Sequence, residues 1–263
     1  MNSASLVDAL QPAHWPTIAL VSARAVGLIM VAPLWSFAAI PPLLRGAIAM
    51  LLTLAVLPSV ATVPDSGALV VALPAELLLG VALGLTAAVF LHGVTIAAEV
   101  LSLQMGLSLG AALAPGSDLG APGIGELTML MSLAIYVTVG GHLALAEAFA
   151  QSLVAIPAGS ALHVAGGGQA AVALAGTAFD VGVRAAAPAM VALLVTNIAL
   201  ALMSRAVPQL NAMMVAIPVT IGVGLLAIGT ALPTLAGWMA GWATSLGSAA
   251  DQMTRAFRPL PVP

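Results

Sequence analysis

The sequence predicts an all-α integral membrane protein of about six hydrophobic helices, and three observations lead there. Hydrophobic residues make up 62% of the 263 positions and charged residues only 6%. A soluble domain carries roughly 25% charged residues, so six basic and nine acidic side chains are too few to cover a folded surface in water. The charges also punctuate the chain. Between them lie stretches of the length that a hydrocarbon core roughly 30 Å thick requires, about 20 residues of helix. Apart from the fold class, the chain has no cysteine, which excludes disulfides and thiolate metal sites.

The elements follow in order. The first hydrophobic helix is expected over about 17–32, placing Arg24 inside it and stopping at Pro33. The N-terminal segment has no basic start and carries Asp8, unlike a cleaved signal peptide, so the first helix itself is expected to direct insertion. The second runs from about 43 to 60, before the turn-like VPDSG at 63–67. The third is long, 69–103, and contains Glu76, His92 and Glu99; its charge-free part, 77–98, spans 22 residues, or about 33 Å.

A fourth span is expected over 127–153, with Gly140, Gly141, His142 and Glu147 in its second half. IPAGSALHVAGGGQ at 156–169 reads as a connecting loop. The fifth lies within 172–203 and holds Asp180, Arg184 and Pro188; the sixth lies within 213–242, broken by Pro218 and Pro233. These six make one membrane-embedded domain, 1–250, followed by a short polar tail, 251–263, whose end, RPLPVP at 258–263, is expected to be extended or disordered. Arg255 and Arg258 place the C-terminus in the cytoplasm, and six spans then place the N-terminus there too.

Ionisable residues within apolar helices cost about 2.5–3.5 kcal/mol or more each by insertion scales. Arg24, Glu76, Glu99, Glu147, Asp180 and Arg184 are therefore expected to pair, to face water or to face a neighbouring protein. Asp180 and Arg184, four apart, are placed to pair directly. Interhelical pairing and subunit contact are favoured over a proton or ion relay. Gly80 and Gly84, Gly106 and Gly110, and Gly237 and Gly241 form GxxxG pairs. These suit close helix approach within the chain or against another subunit.

Catalysis has no support: the histidines are scattered, and no nucleophile–base, metal-ligand or phosphate-loop pattern is present. No cofactor is expected, and the net charge of −3 gives no indication of nucleic-acid binding.

One tract fits neither lipid nor water. Residues 104–126 read QMGLSLGAALAPGSDLGAPGIGE, rich in glycine yet moderately apolar. Non-helical backbone at membrane depth is tolerated only inside protein or beside water. The tract is thus either an external loop or an inward-facing constriction of a pore, and its residues alone give no preference.

Several motifs together resemble the FliR family of flagellar export-gate proteins and its counterparts in virulence-type type III secretion. They are QMGLS at 104–108 preceded by Glu99, MSRAVPQLN at 203–211 with Arg205 and Gln209 in an arginine-x-x-proline-glutamine pattern, and GGHLAL at 140–145. ELLLGVALG at 76–84 and the element at 41–45 also correspond. Gly140 and Ser204 stand where the family pattern carries asparagine, and each removes an amide.

The resemblance implies helices arranged as bent hairpins, in a non-enzymatic pore subunit of the flagellar type III protein export gate. It implies FliP-like, FliQ-like and FlhB-like partners, a basal-body ring, unfolded protein cargo, and a place in the bacterial inner membrane. The alternatives are a virulence-type (injectisome) export subunit and a secondary transporter using the buried carboxylates. The family's plug loop falls on Gln104, Met105, Gly106, Leu107, Leu109, Gly110, Leu113, Pro115, Gly116, Asp118, Leu119, Gly120 and Pro122. Arg24, Glu76, Glu99, His142, Arg205 and Gln209 would be structural or subunit-contact groups.

Overall fold

The computed structural model describes residues 14–37, 39–63, 69–106, 124–160, 163–206 and 212–258. Among these there is no strand; seven α-helices and a short 3-10 turn account for the ordered backbone. They are α1 (Trp15–Val31), α2 (Pro42–Val56, followed by the turn Leu57–Ser59), α3 (Leu69–Gln104), α4 (Ile124–Thr138), α5 (Gly141–Ala155), α6 (Val164–Ala206) and α7 (Ala212–Ala256).

The expected all-α membrane class holds, and the six expected hydrophobic segments correspond to seven helices because the fourth is two. Gly140 adopts φ +81° between α4 and α5, and the pair is bent by 63°. Left-handed backbone is open to glycine at little cost. Among the described residues, three helical segments are long and apolar enough to cross a membrane: Pro42–Ser59, Leu69–Gln104 and Ala186–Ala206. The bent pair makes a fourth if taken as one span. Trp15–Val31 and Met214–Thr230 are apolar but shorter.

Three expectations are corrected. The segment read as a loop over 156–169 is already helical from Val164, so Gly166, Gly167 and Gly168 lie in the first turns of α6. Neither Pro218 nor Pro233 breaks α7, which continues to Ala256, into the segment set apart as a polar tail. At the start of α6 and the end of α7 the cause is packing that overrides local propensity. A Cβ on Gly167 would fall within the Phe257 ring, and one on Gly166 would overlap the Ala256 carbonyl. The His163 N–H donates to the Phe257 carbonyl at 2.9 Å. The end of α7 is thus held against the start of α6, in a hollow that only glycine leaves open.

The chain divides into two compact units, 1–89 with 136–176 and 242–263, and 90–135 with 177–241. Helices α3, α4, α6 and α7 contribute residues to both.

In the first unit, α1 packs against α2 and crosses α3 with backbones in contact. A Cβ on Gly80 would overlap the Arg24 carbonyl oxygen; one on Gly84 would lie 2.8 Å from the Leu28 carbonyl oxygen. From the α1 side, Gly27 meets the Leu77 carbonyl in the same way. The Gly80–Gly84 pair therefore serves packing within the chain, as small residues do where helices approach closely. Leu79 and Ala82 of α3 join Ile156, Met253 and Phe257 in a buried cluster.

In the second unit, Leu101 of α3 and Met105, just past its end, are buried with Ala189 and Leu193 of α6. Met190, Ile221, Val223, Ala227 and Ile228 pack around them. Gly182 of α6 sits on the Gly93 backbone of α3. Val191, Leu194, Val195, Ile198 and Leu202 are exposed along the apolar segment of α6, an apolar surface suited to lipid or another protein.

Candidate functional site

Two places collect the side chains singled out from the sequence. The first is the root of the glycine-rich tract, in the second unit. Here α3 ends as the Met105 N–H donates to the Leu101 carbonyl at 2.9 Å and the Gly106 N–H to the Leu103 carbonyl at 3.1 Å. Gly106 then takes φ +76°, a left-handed termination of the kind that makes glycine common after a helix. Met105 is wholly buried. Its side chain fills the hollow at Gly224 of α7, where a Cβ would lie 2.6 Å from its Cγ and Cε. The Thr220 hydroxyl donates to the Met105 carbonyl at 3.3 Å. Gln104 is half-buried, and its Oε1, shielded from solvent, has no hydrogen-bond partner among the described residues.

The far end of the tract returns to the same helix. Gly125, at the start of α4, is buried against the side chain of Glu99, where an added Cβ would lie 2.8 Å from Glu99 Cγ. Glu99 itself is exposed. From Glu99 to Met105 is about 9 Å along a helix, so departure and return lie close together on α3. Leu107, Leu109, Gly110, Leu113, Pro115, Gly116, Asp118, Leu119, Gly120, Pro122 and Gln209 lie outside the described residues.

The second place is a buried polar node in the first unit. Arg24 of α1 and Glu76 of α3 pair through Nε and Oε2 at 2.6 Å, with 0% and 1% of their side chains exposed. The other guanidinium nitrogens donate to Ser152 Oγ at 3.1 Å and to the Ile156 carbonyl at 3.0 Å. The second oxygen of Glu76 accepts from the Gly159 N–H at 2.8 Å. Ile156 is the C-cap of α5, its N–H donating to the Ser152 carbonyl at 2.9 Å, so the Arg24 cation also meets the negative end of the helix dipole. Gly159 takes φ +78° in the following turn. One ion pair thereby fastens α1, α3, the end of α5 and the turn after it. Each of these charges is paired and hydrogen-bonded, the condition under which burial is tolerated.

The remaining candidates stand apart. Asp180 and Arg184 pair on the surface of α6 at 2.8 Å, with 57% and 70% of their side chains exposed. His142 is half-buried near the start of α5, and its Nδ1, shielded from solvent, has no partner among the described residues. The amide absent at Gly140 is the group that the family pattern would place close by in sequence. Arg205 is exposed near the end of α6, and Glu147 accepts from Gln151 Nε2 at 3.1 Å.

Sequence reading missed Ser152, Gly159, Thr220 and Gly224. None carries a charge or a motif; each acts through one contact made by the tertiary fold. The turn signal at 157–160 was the only local trace of Gly159.

Among known proteins, the chain is similar to the flagellar biosynthetic protein FliR of Escherichia coli K12, 29% identical over 225 residues and covering 84% of each chain. It is 28% identical to that of Pectobacterium carotovorum over 237 residues, 89% of each chain. To that of Aquifex aeolicus it is 28% identical over 224 residues, 83% of this chain and 86% of the other. The family described as bacterial export proteins, family 1, matches residues 15–245. That match takes in both the tract root and the Arg24–Glu76 node, and the chain belongs to the bacterial export proteins, family 1.

Proposed function

We propose that this chain is a pore subunit of the flagellar type III protein export gate, in which the tract after Gly106 seals the channel for unfolded cargo. The observation that carries this reading is the closed base of the tract: it leaves α3 at Gly106 and returns at Gly125 beside Glu99 of the same helix. A segment anchored at both ends on one helix suits a flap over a passage better than a connection between opposite membrane faces. Glycine supplies compliance within it, and Leu107, Leu109, Leu113 and Leu119 supply apolar bulk that excludes water.

The work asked of such a subunit is mechanical and electrostatic, with no bond made or broken. It would sit in the bacterial inner membrane at the flagellar basal body, assembled with FliP-like, FliQ-like and FlhB-like subunits. The names of its relatives favour a flagellar over an injectisome setting. A carboxylate-driven transporter is disfavoured because both oxygens of Glu76 are engaged in the buried node.

Deleting residues 110–120 tests the reading. The shortened protein is expected to insert and assemble but to let ions cross, read as loss of membrane potential or sodium sensitivity in cells. A membrane that stays tight with the shortened chain assembled would count against the seal.

A further inference from the structure

The end of α3 is held on α7 by two unlike contacts in the second unit. The Met105 side chain fills the hollow left by Gly224, and the Met105 carbonyl accepts from the Thr220 hydroxyl. We propose that Thr220 and Gly224 are positioning residues forming a releasable latch on Met105, and that the latch parts each time the gate conducts cargo. The proposal rests on the export-gate reading.

Three features make the latch easy to release. A threonine hydroxyl has one proton, and that of Thr220 faces three acceptors: the Met105 carbonyl at 3.3 Å, the Ala216 carbonyl at 2.9 Å and the Ile217 carbonyl at 3.1 Å. When Met105 withdraws, the proton turns to α7's own backbone and no donor is stranded, so the usual penalty for an unmade buried hydrogen bond is avoided. Methionine is unbranched and adapts to a changed cavity more readily than other large apolar residues. The receiving stretch of α7 is itself weak. Pro218 removes one backbone donor within the helix, and Gly222 and Gly224 lower its intrinsic helical preference.

What the latch positions is also specific. Met105 is the last residue before the left-handed Gly106, so its seating sets the direction in which the chain leaves α3. Movement of α7 at Thr220–Gly224 would pass directly to that exit. Gln104 Oε1, shielded and without a partner among the described residues, adds an acceptor that would gain by exposure when the end of α3 moves.

The absence of native cysteine makes the test clean. The Cβ position at Gly224 lies 2.6 Å from Met105 Cγ, close enough for Met105→Cys and Gly224→Cys to form a disulfide. In the assembled gate, mild oxidation is expected to join the two cysteines and stop export of an unfolded substrate, and reductant is expected to restore it. Joined cysteines with undiminished export would overturn the latch, since α3 and α7 would then have no need to part. Free thiols that never join would overturn the contact itself.

Should the double variant fail to accumulate, Thr220 decides. Thr220→Val is expected to raise the ion leak of the idle gate about two-fold, less than the weight of one unshared hydrogen bond because the Ala216 and Ile217 carbonyls compete for the same proton, whereas Thr220→Ser keeps it low. Equal leak from both overturns the proposal. The seal reading is tested separately, by deletion of 110–120. A leaking deletion with oxidation-insensitive export removes the latch and keeps the seal; a tight deletion with oxidation-arrested export does the reverse.

Discussion

Arg24 and Glu76, 52 residues apart in the chain, meet at 2.6 Å inside the first unit, and neither reaches solvent. Because each also holds backbone or side-chain groups near the end of α5, the pair organises three helices at once. Removing one partner leaves a buried charge uncompensated, a cost of about 3–5 kcal/mol. Glu76→Leu is therefore expected to lower accumulation in the membrane and to expose the chain to protease. Arg24→Met combined with Glu76→Leu is expected to recover much of the loss, since an apolar pair of similar volume often replaces a buried ion pair at little cost. Thermal unfolding of Arg24→Met, Glu76→Leu and the double variant checks the order; a double variant worse than either single one would refute it.

The crossing of α1 and α3 sets a second expectation. At Gly80 an added methyl would meet the Arg24 backbone rather than a movable side chain, so Gly80→Ala has to spread the two helices. The cost expected is about 1–3 kcal/mol, the range for overpacked cores. Gly46 of α2 has nothing within 4 Å of an added Cβ. Gly46→Ala should accordingly gain roughly 0.5–1 kcal/mol through reduced backbone freedom. Opposite shifts in unfolding midpoint for the two substitutions are the result to look for.

These contrasts mark what could be read from the sequence. The third helix was legible almost to the residue, 69–103 expected against Leu69–Gln104 found, because a long, mostly apolar run bounded by turn signals is local information. The Asp180–Arg184 pair was legible for the same reason, lying one helical turn apart. The partner of Arg24 was not: several acidic residues lay in apolar segments, and only the α1–α3 crossing selects Glu76. The Thr220 contact to Met105 joins positions 115 apart and has no sequence signature. The glycine triplet at 166–168 read as a loop because glycine disfavours helix locally. The actual reason for Gly166 and Gly167, room for the Ala256 carbonyl and Phe257, comes from the other end of the chain. At the tract root, motif resemblance identified QMG, while the hollow that seats Met105 emerged only from packing.

The hinge between α4 and α5 separates two adjacent glycines by function. Gly140 is left-handed with open space around an added Cβ, whereas a Cβ on Gly141 would fall into the Tyr136 ring. Asparagine is the side chain that best tolerates left-handed backbone, and it would return an amide near His142 Nδ1, which lacks a partner among the described residues. Gly140→Asn is expected to be neutral or to gain up to about 1 kcal/mol, and Gly140→Val to lose about 1–2 kcal/mol. Gly141→Ala should unseat Tyr136 from its tilted contact with Trp242, at 5.9 Å between ring centroids. Tryptophan fluorescence reports that displacement; an unchanged spectrum in Gly141→Ala would show that the ring has room to move.

The start of α6 offers the sharpest contrast within one tripeptide. Gly167 lies under the Phe257 ring, and Gly168, the next residue, has nothing within 4 Å of an added Cβ. Both sit in the same helix, so helix propensity alone predicts the same gain from alanine at either place, roughly 0.8–1 kcal/mol. Packing predicts otherwise. Gly168→Ala keeps that gain, while Gly167→Ala forces Phe257 out of its seat and strains the His163 N–H to Phe257 carbonyl bond. The second change should release the end of α7, seen as faster amide exchange through 250–257 and protease cleavage near Arg255. If both alanines stabilise equally, the end of α7 is not held by the Gly167 hollow, and the helical start of α6 rests on its own propensity instead.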